Sequence, residues 1–241
     1  MKQVVPYAGS IATKSEQVGK MFDDISPSYD FLNHALSFGI DNLWRKKVVS
    51  ILKKENPQSI LDIATGTGDL AIALVKTGAK HITGVDISEG MLKVGREKVK
   101  SRNLSEIITL EAGNSEFLRY SDNSFDAITV SFGVRNFEHL NKGIEEIFRV
   151  LKPGGILAVL EFSQPLSFPM KQLYNFYFTK VCPLVGKIVS KDARAYTYLH
   201  ESVAQFPYGE EFTNHLKQAG FKNTSWKALT LGISTIYTAK K

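Results

Sequence analysis

A chain of 241 residues, 43% of them hydrophobic, carries enough apolar material for one large core and is too short for two separate full domains. Its apolar runs fall short of the roughly 18 residues that a membrane-spanning helix needs, and the opening MKQVVPYAGSIATKSEQ lacks the apolar stretch of a secretory signal, so a cytoplasmic protein is expected. The single cysteine, Cys182, excludes an internal disulfide and a cysteine metal cluster, while a net charge of +6 admits an anionic partner, either nucleic acid or an acidic membrane surface.

Residues 1–56 read as a helical cap rich in aromatic and polar side chains. From Ser59 onward, β-rich apolar runs alternate with segments of helical period. SILDIA precedes a helix over 69–77, HITGVD one over 88–101, IITLEAG follows, FDAITVSF precedes a helix over 139–151, and GILAVLEFS ends the series. That rhythm predicts βαβ units and a parallel sheet covered by helices on both faces, with 57–163 as a cofactor-binding core. Pro153-Gly154-Gly155 is expected to stop the last of these helices and turn the chain into its strand. Residues 164–206 break the rhythm. An insertion after the fifth strand lies above the carboxyl ends of the strands, where open α/β sheets bind ligands, so this segment reads as a substrate lid. Residues 207–241 read as a helix followed by two strands, FKNTSWKAL and GISTIYTAK, joined through Leu231-Gly232 as an antiparallel hairpin.

The stretch ILDIATGTGDLA places Gly66, Gly68 and Ala71 at the spacing of a dinucleotide loop. A pyrophosphate there would lie against the amino end of the helix that starts near Asp69. Asp69 already puts an anion at that end, Asp62 lies in the strand before it, and no Lys or Arg occurs between Lys54 and Lys76. Two carboxylates suit a ligand that carries positive charge. S-adenosylmethionine, with an adenosine, an ammonium, a sulfonium and no phosphate, meets that requirement. Asp86 ends the second strand, 18 residues after Gly68, where a carboxylate accepts both ribose hydroxyls, a feature shared with NAD folds. Asn114 follows the third strand within reach of an adenine edge, and Ser131 ends the fourth. Each has a plainer alternative, since an Asp before a glycine turn also caps a helix and an Asn also makes a turn.

With these residues in view, the chain resembles the class I S-adenosylmethionine methyltransferases, and specifically the menaquinone and ubiquinone biosynthesis C-methyltransferases. The resemblance runs through MFDDISPSYDFLNHALSFGIDNLWR, LDIATGTGDLA, GVDISEGML, SFGVRNF, RVLKPGGILAVLEFS and YTYLHESVAQFP. It implies an α/β, Rossmann-like, seven-stranded and mostly parallel sheet with a C-terminal antiparallel strand. It also implies methylation of a ring carbon of a polyprenyl quinol, 2-demethylmenaquinol above all, with a methoxylated benzoquinol of the ubiquinone route as the alternative. Thr67, Asp86, Asn114, Ser115 and Ser131 are implied as cofactor contacts. Leu118-Arg119-Tyr120 stands where many relatives read LPF, and Ser115 where alanine is common, so any contact from Ser115 is expected through its backbone.

The chemistry asks for a carbon nucleophile. Loss of a phenolic proton puts negative charge on the ortho carbon, and a free phenol titrates near about 10 by analogy with tyrosine. The site therefore needs a hydrogen-bonded base or a cation that stabilises phenolate, inside a water-excluding pocket. Arg135 and Asn136, just past the fourth strand, are the expected catalytic pair, with Arg135 as the cation; its alternative is an ion pair with Glu138 or Glu161 at the surface. Tyr29, Asp30 and Glu161 are the next candidates for proton removal or quinol orientation. The aromatic run Tyr174, Phe176, Tyr177 and Phe178 would close over the ring or pack in the core. His34 and His200 do not cluster with carboxylates at metal-ligand spacing, so no metal is expected. A polyprenyl tail lives in a bilayer, which suggests peripheral contact at the inner face of the plasma membrane through 168–190, with Lys171, Lys180, Lys187 and Lys191 near anionic headgroups. A homodimer is left open, with no heptad pattern to support it. Three rivals are weighed. A nucleic-acid methyltransferase would carry an Asn-Pro-Pro-aromatic motif where SFGVRN stands. A non-enzymatic cofactor sensor would need no Arg135, and an NAD oxidoreductase conflicts with Asp69.

Overall fold

Three helices precede the sheet in the computed structural model, which describes residues 4–37, 39–177 and 194–241. Phe178, Lys180, Cys182, Lys187 and Lys191 lie outside the described residues. Helix α1 (Lys14–Ile25) starts with a capping box: the Thr13 hydroxyl accepts from Glu16 N at 3.2 Å while the Glu16 carboxylate accepts from Thr13 N at 2.8 Å. Helices α2 (Tyr29–Leu36) and α3 (Ile40–Lys53) follow, whereas residues 4–13 form irregular turns rather than the helix expected there.

The sheet has seven strands, β1 (Ser59–Ile63), β2 (His81–Asp86), β3 (Ile108–Ala112), β4 (Phe125–Ser131), β5 (Leu151–Phe162), β6 (Lys222–Leu229) and β7 (Ser234–Lys240), in the order β3-β2-β1-β4-β5-β7-β6. Strands β1 to β5 pair in parallel, and β7 runs antiparallel to both β5 and β6. Six strands thus point one way and β7 alone opposes them. Helices α3, α4 (Asp69–Leu74) and α5 (Glu89–Ser101) cover one face through Val48, Leu52, Leu70, Leu74 and Leu92. Helices α6 (Leu140–Val150) and α9 (Glu210–Gln218) cover the other through Ile144, Ile147, Phe212 and Leu216. Alternation along the strands serves both cores, with Ile60 facing one and Leu61 the other.

The helix before β5 ends at Val150, ahead of Pro153, and Leu151 already pairs with Phe125. The next pair is Ala127 with Ile156, so residues 152–155 bulge out opposite Asp126, a position where a strand tolerates proline. Beyond β5 come α7 (Met170–Phe176) and α8 (Arg194–Gln205). The order reverses between β1 and β4, which makes the gap at their carboxyl ends the topological switch point where such sheets bind ligands.

Candidate active site

The chain leaves β1 and β4 in a backbone conformation that side chains rarely adopt. Ala64 has φ +54° and Phe132 φ +58°, and a bulky residue held there stores strain of about 1–3 kcal/mol, the kind concentrated at ligand sites. The two turns also touch: a Cβ on Gly133 would come within 2.4 Å of Ala64 Cβ, so only glycine fits opposite Ala64.

These turns wall a recess of about 680 Å3 that is lined also by Asp86, Asn114, Ser115, Asn136 and, from α1, Phe22. The Asp86 carboxylate accepts Gly66 N at 2.8 Å and Ser88 N at 2.9 Å, one bond per oxygen, which leaves lone pairs for a diol. Burial pushes its pKa up against those two bonds. Gly66, at φ +56°, has nothing within 4 Å of where a Cβ would stand, so its bare backbone faces the open recess. Asn114 Oδ1 accepts from Glu116 N at 2.9 Å, which makes it a turn residue, yet it also lines the recess. The Ser131 hydroxyl is buried and has no hydrogen-bond partner.

A smaller side recess continues past Gly66 to Asp62, Thr67, Asp69, Arg45 and Ser131. Asp62 is buried and accepts the hydroxyls of Thr129 and Thr65 at 2.6 and 2.7 Å; burial, opposed by those bonds, raises its pKa to about 6. With Asp62 and Arg45, this recess carries both signs that an amino-acid zwitterion requires. The main recess has no Lys or Arg on its wall. The residues present fit S-adenosylmethionine: Asp86 would hold the ribose, the Asn114 and Ser115 turn the adenine, and Asp62, Gly66 and Ser131 the methionine end.

At Asp69 the expectation of a bare carboxylate fails. Its carboxylate is bonded to Lys98 Nζ and lies 3.7 Å from Arg45 Nη2, so it is not a bare anion at the helix start. The main recess offers a phosphate no cation, whereas Arg45 lines the side recess at the helix start, so charge alone does not exclude a phosphate there. Thr67 lines the side recess but not the main one, and Gly68 lines neither. The Thr67 hydroxyl donates to Asp30 Oδ1 at 2.5 Å and lies 3.1 Å from Lys98 Nζ, and Gly68 is the N-cap of α4 at φ +77°. Asp30, bonded to both Thr67 and Lys98, faces the loop.

A second cleft of about 760 Å3 lies beside the first. Met21, Ile25, Phe162 and Leu199 supply its apolar wall, and Tyr29, Asn33, Ser37, Asp41, Arg45, Arg135 and Tyr198 its polar groups. Phe22, Tyr29 and Phe132 line both spaces, so the two compartments share one wall. Arg135 is paired with Glu161, but below the surface: their side chains are 7% and 0% exposed, Arg135 Nη1 donates to Glu161 Oε1 at 2.6 Å, and Arg135 Nε is buried without a partner. The Phe162 ring lies 5.5 Å from the guanidinium carbon. Tyr198 donates its hydroxyl to Asn136 Oδ1 at 3.1 Å, tying α8 to the turn after β4, and burial holds its pKa above the usual phenol range. Burial likewise raises the pKa of Tyr29, so this phenol stays protonated at neutral pH.

Sequence reasoning missed the hold of α1 on the recess. Lys14 Nζ donates to the carbonyls of Arg135 and Phe137 at 3.1 and 2.9 Å, and burial, then the Arg135 charge, lowers its pKa to about 8. Asp23 Oδ1 accepts from Ser88 Oγ and Gly90 N at 2.7 and 2.8 Å. The one sequence signal for this helix was its capping box. Among the described residues, no group of three or more His, Cys, Asp or Glu side chains is arranged to hold a metal.

Comparisons with known proteins identify the family and the fold. The chain is 50% identical over 241 residues to demethylmenaquinone methyltransferase of Bacteroides fragilis, covering 100% of this chain and 98% of that one. It is 45% identical over 233 residues to the ubiquinone/menaquinone biosynthesis C-methyltransferase UbiE of Geotalea daltonii, covering 96% and 99%. Among solved structures, the [4+2]-cyclase SpnF superposes with a TM-score of 0.66 at 21% identity over 95% of this chain and 97% of that one. A methyltransferase of Thermotoga maritima, described as a possible histamine N-methyltransferase, superposes with a TM-score of 0.65 at 20% identity, over 92% and 99%. Both establish the fold alone. The profile of the ubiE/COQ5 methyltransferase family matches residues 10–241, and the chain belongs to that family.

Proposed function

We propose that this S-adenosylmethionine-dependent methyltransferase methylates a ring carbon of a polyprenyl quinol, converting 2-demethylmenaquinol to menaquinol. The single observation that carries the reading is the shared wall: a cofactor recess and an apolar cleft meet at Phe22, Tyr29 and Phe132, with a buried Arg on the cleft side. The cofactor supplies an electrophilic methyl group on a sulfonium. This chain's residues hold the quinol ring in line with it and keep water out, and alignment of that kind is worth about 7–11 kcal/mol in favourable cases. Arg135 stabilises the phenolate through its charge and its unpartnered Nε, and Glu161 fixes the guanidinium. Tyr29 and Asn136 orient the ring, and Tyr198 holds Asn136.

No described helix is long and apolar enough to cross a membrane. A polyprenyl tail lies in the bilayer, so we infer peripheral contact with the membrane surface. Phe168, 81% exposed, and Phe176, 63% exposed, support lipid contact in the described part of 168–190. Labelled methyl transfer to short-tailed demethylmenaquinol, its oxidised quinone and the methoxylated benzoquinol, read by mass spectrometry, tests the assignment. Label on the reduced naphthoquinol is expected. Label on the benzoquinol as well would support the second reading, motivated by the name of the Geotalea relative. No label despite cofactor binding would refute both.

A further inference from the structure

On the face covered by α3, α4 and the end of α5 runs an open groove of about 1560 Å3, separate from the two compartments of the site. Lys46, Lys53, Lys54, Lys76 and Arg102 line it, and among the described residues none of these five side chains has an ion pair or hydrogen bond. The one carboxylate on its wall, Asp69, is already bonded to Lys98 and lies 3.7 Å from Arg45. Five cations thus share a trough whose one carboxylate already has cationic partners.

Two exposed apolar side chains flank it. Leu43, 60% exposed, stands one turn before Lys46 and Lys47 on α3, and Phe31, 66% exposed, stands one turn before His34, which lines the groove. The floor is apolar too, formed by Val49, Ile72 and Ala73. Arg45 lines both the groove and the apolar cleft of the site, so the two openings adjoin.

We propose that this groove docks an anionic lipid bilayer, with lipid phosphates among the five cations and Phe31 and Leu43 in the acyl boundary. Unpaired cations beside exposed apolar side chains are the combination that holds a protein at an anionic membrane surface. A single-stranded nucleic acid fits less well: it stacks successive bases on several aromatic rings, and the groove lining contains no Phe, Tyr or Trp, with Phe31 as one exposed ring beside it. Docking here brings the mouth of the apolar cleft to the membrane. The inference rests on the polyprenyl-quinol reading for the purpose of docking, and not for the binding itself.

Flotation with phosphatidylcholine vesicles, with and without phosphatidylglycerol and free of quinol, tests it on the full chain. The native protein should float only with the anionic vesicles, and less at high salt. Each cation near such a surface strengthens partition roughly fivefold, so Lys46→Gln, Lys53→Gln and Lys76→Gln combined should weaken it roughly a hundredfold. A control triple with the same change in net charge, Lys217→Gln, Lys222→Gln and Lys227→Gln on α9 and the far-edge strand β6, should bind vesicles as the native chain does. Both triples should keep native cofactor affinity, which shows that they fold. No flotation with anionic vesicles, equal losses in the two triples, or tighter binding to a single-stranded oligonucleotide or to inorganic polyphosphate than to the vesicles would each overturn the proposal. Methyl transfer plays no part in these readouts, so the docking surface and the quinol assignment stand or fall separately.

Discussion

Replacing Arg135 by Lys separates charge from geometry at the centre of the proposed mechanism. Arg135 Nη1 donates to Glu161 Oε1 at 2.6 Å and to the Phe132 carbonyl, while Nε has no partner. A lysine can match the Glu161 charge with one compact ammonium, but it cannot hold Glu161 and present a second fixed donor at once. Loss of one donor to a developing oxyanion costs about 2.7–4 kcal/mol, or roughly 100- to 1000-fold in kcat. Arg135→Lys should show that loss with little change in thermal stability. Arg135→Met should add about 3–5 kcal/mol of destabilisation, because Glu161, 0% exposed, would be left as a buried charge without a partner. Adding Glu161→Gln should restore stability but not rate. The assay is single-turnover transfer of labelled methyl to short-tailed demethylmenaquinol across pH, alongside thermal denaturation. Without the cation the quinol must ionise unaided, so the rate of the Met variant should climb about tenfold per pH unit toward about 10, while the native rate levels off earlier. A Lys variant that keeps most of the native rate with an unchanged pH profile would refute the phenolate role.

Other residues give sharper, smaller tests. Asp62 has a pKa raised to about 6, so its carboxyl becomes neutral as pH falls through that value, and calorimetric cofactor affinity should drop there while Asp62→Asn stays flat. Because the folded pKa lies above the unfolded one, the same carboxyl makes the ligand-free chain less stable as pH rises from about 4 to about 6. Ser131→Ala removes a buried hydroxyl that bonds to nothing, so ligand-free stability should hold or rise while cofactor affinity falls by about 0.5–1.5 kcal/mol; equal loss in both states would sink its role. Gly133→Ala should cost about 1–3 kcal/mol from the 2.4 Å clash with Ala64 Cβ, and Ala64→Gly in the same chain should recover it by denaturant titration.

Local pattern carried much of this structure. The strand starts, the glycine loop and Asp86 at the end of β2 all follow from periods of two and 3.6 and from turn chemistry, which act within a few residues. The partners of Asp69 did not follow, because Lys98 and Arg45 reach it from α5 and α3 across distances that no local pattern encodes. For the same reason, sequence left Arg135 with Glu161 or Glu138 as an alternative at the surface, whereas α8 and Phe162 enclose the pair with Glu161 and make it part of the cleft. The bulge at 152–155 was hidden by proline, whose usual meaning is an element boundary and whose less common meaning is an extra loop within a strand. Within 164–206, the segment read as a lid, Tyr198 and Leu199 line the cleft.

The place of β7 imposes an order of events on synthesis. Strand β7 lies between β5 and β6, so β6, which precedes it in the chain, has no neighbour in the sheet until residues 234–240 exist. Until then β5 also presents an open edge, since Phe162 waits for Ser234 and Ile156 for Lys240. A ribosome adds about 5–20 residues per second, so the nascent chain spends seconds with an apolar strand edge bare to the cytosol. During that interval chaperone capture and misplaced strand pairing compete with folding, and the final insertion seals the edge between β5 and β6.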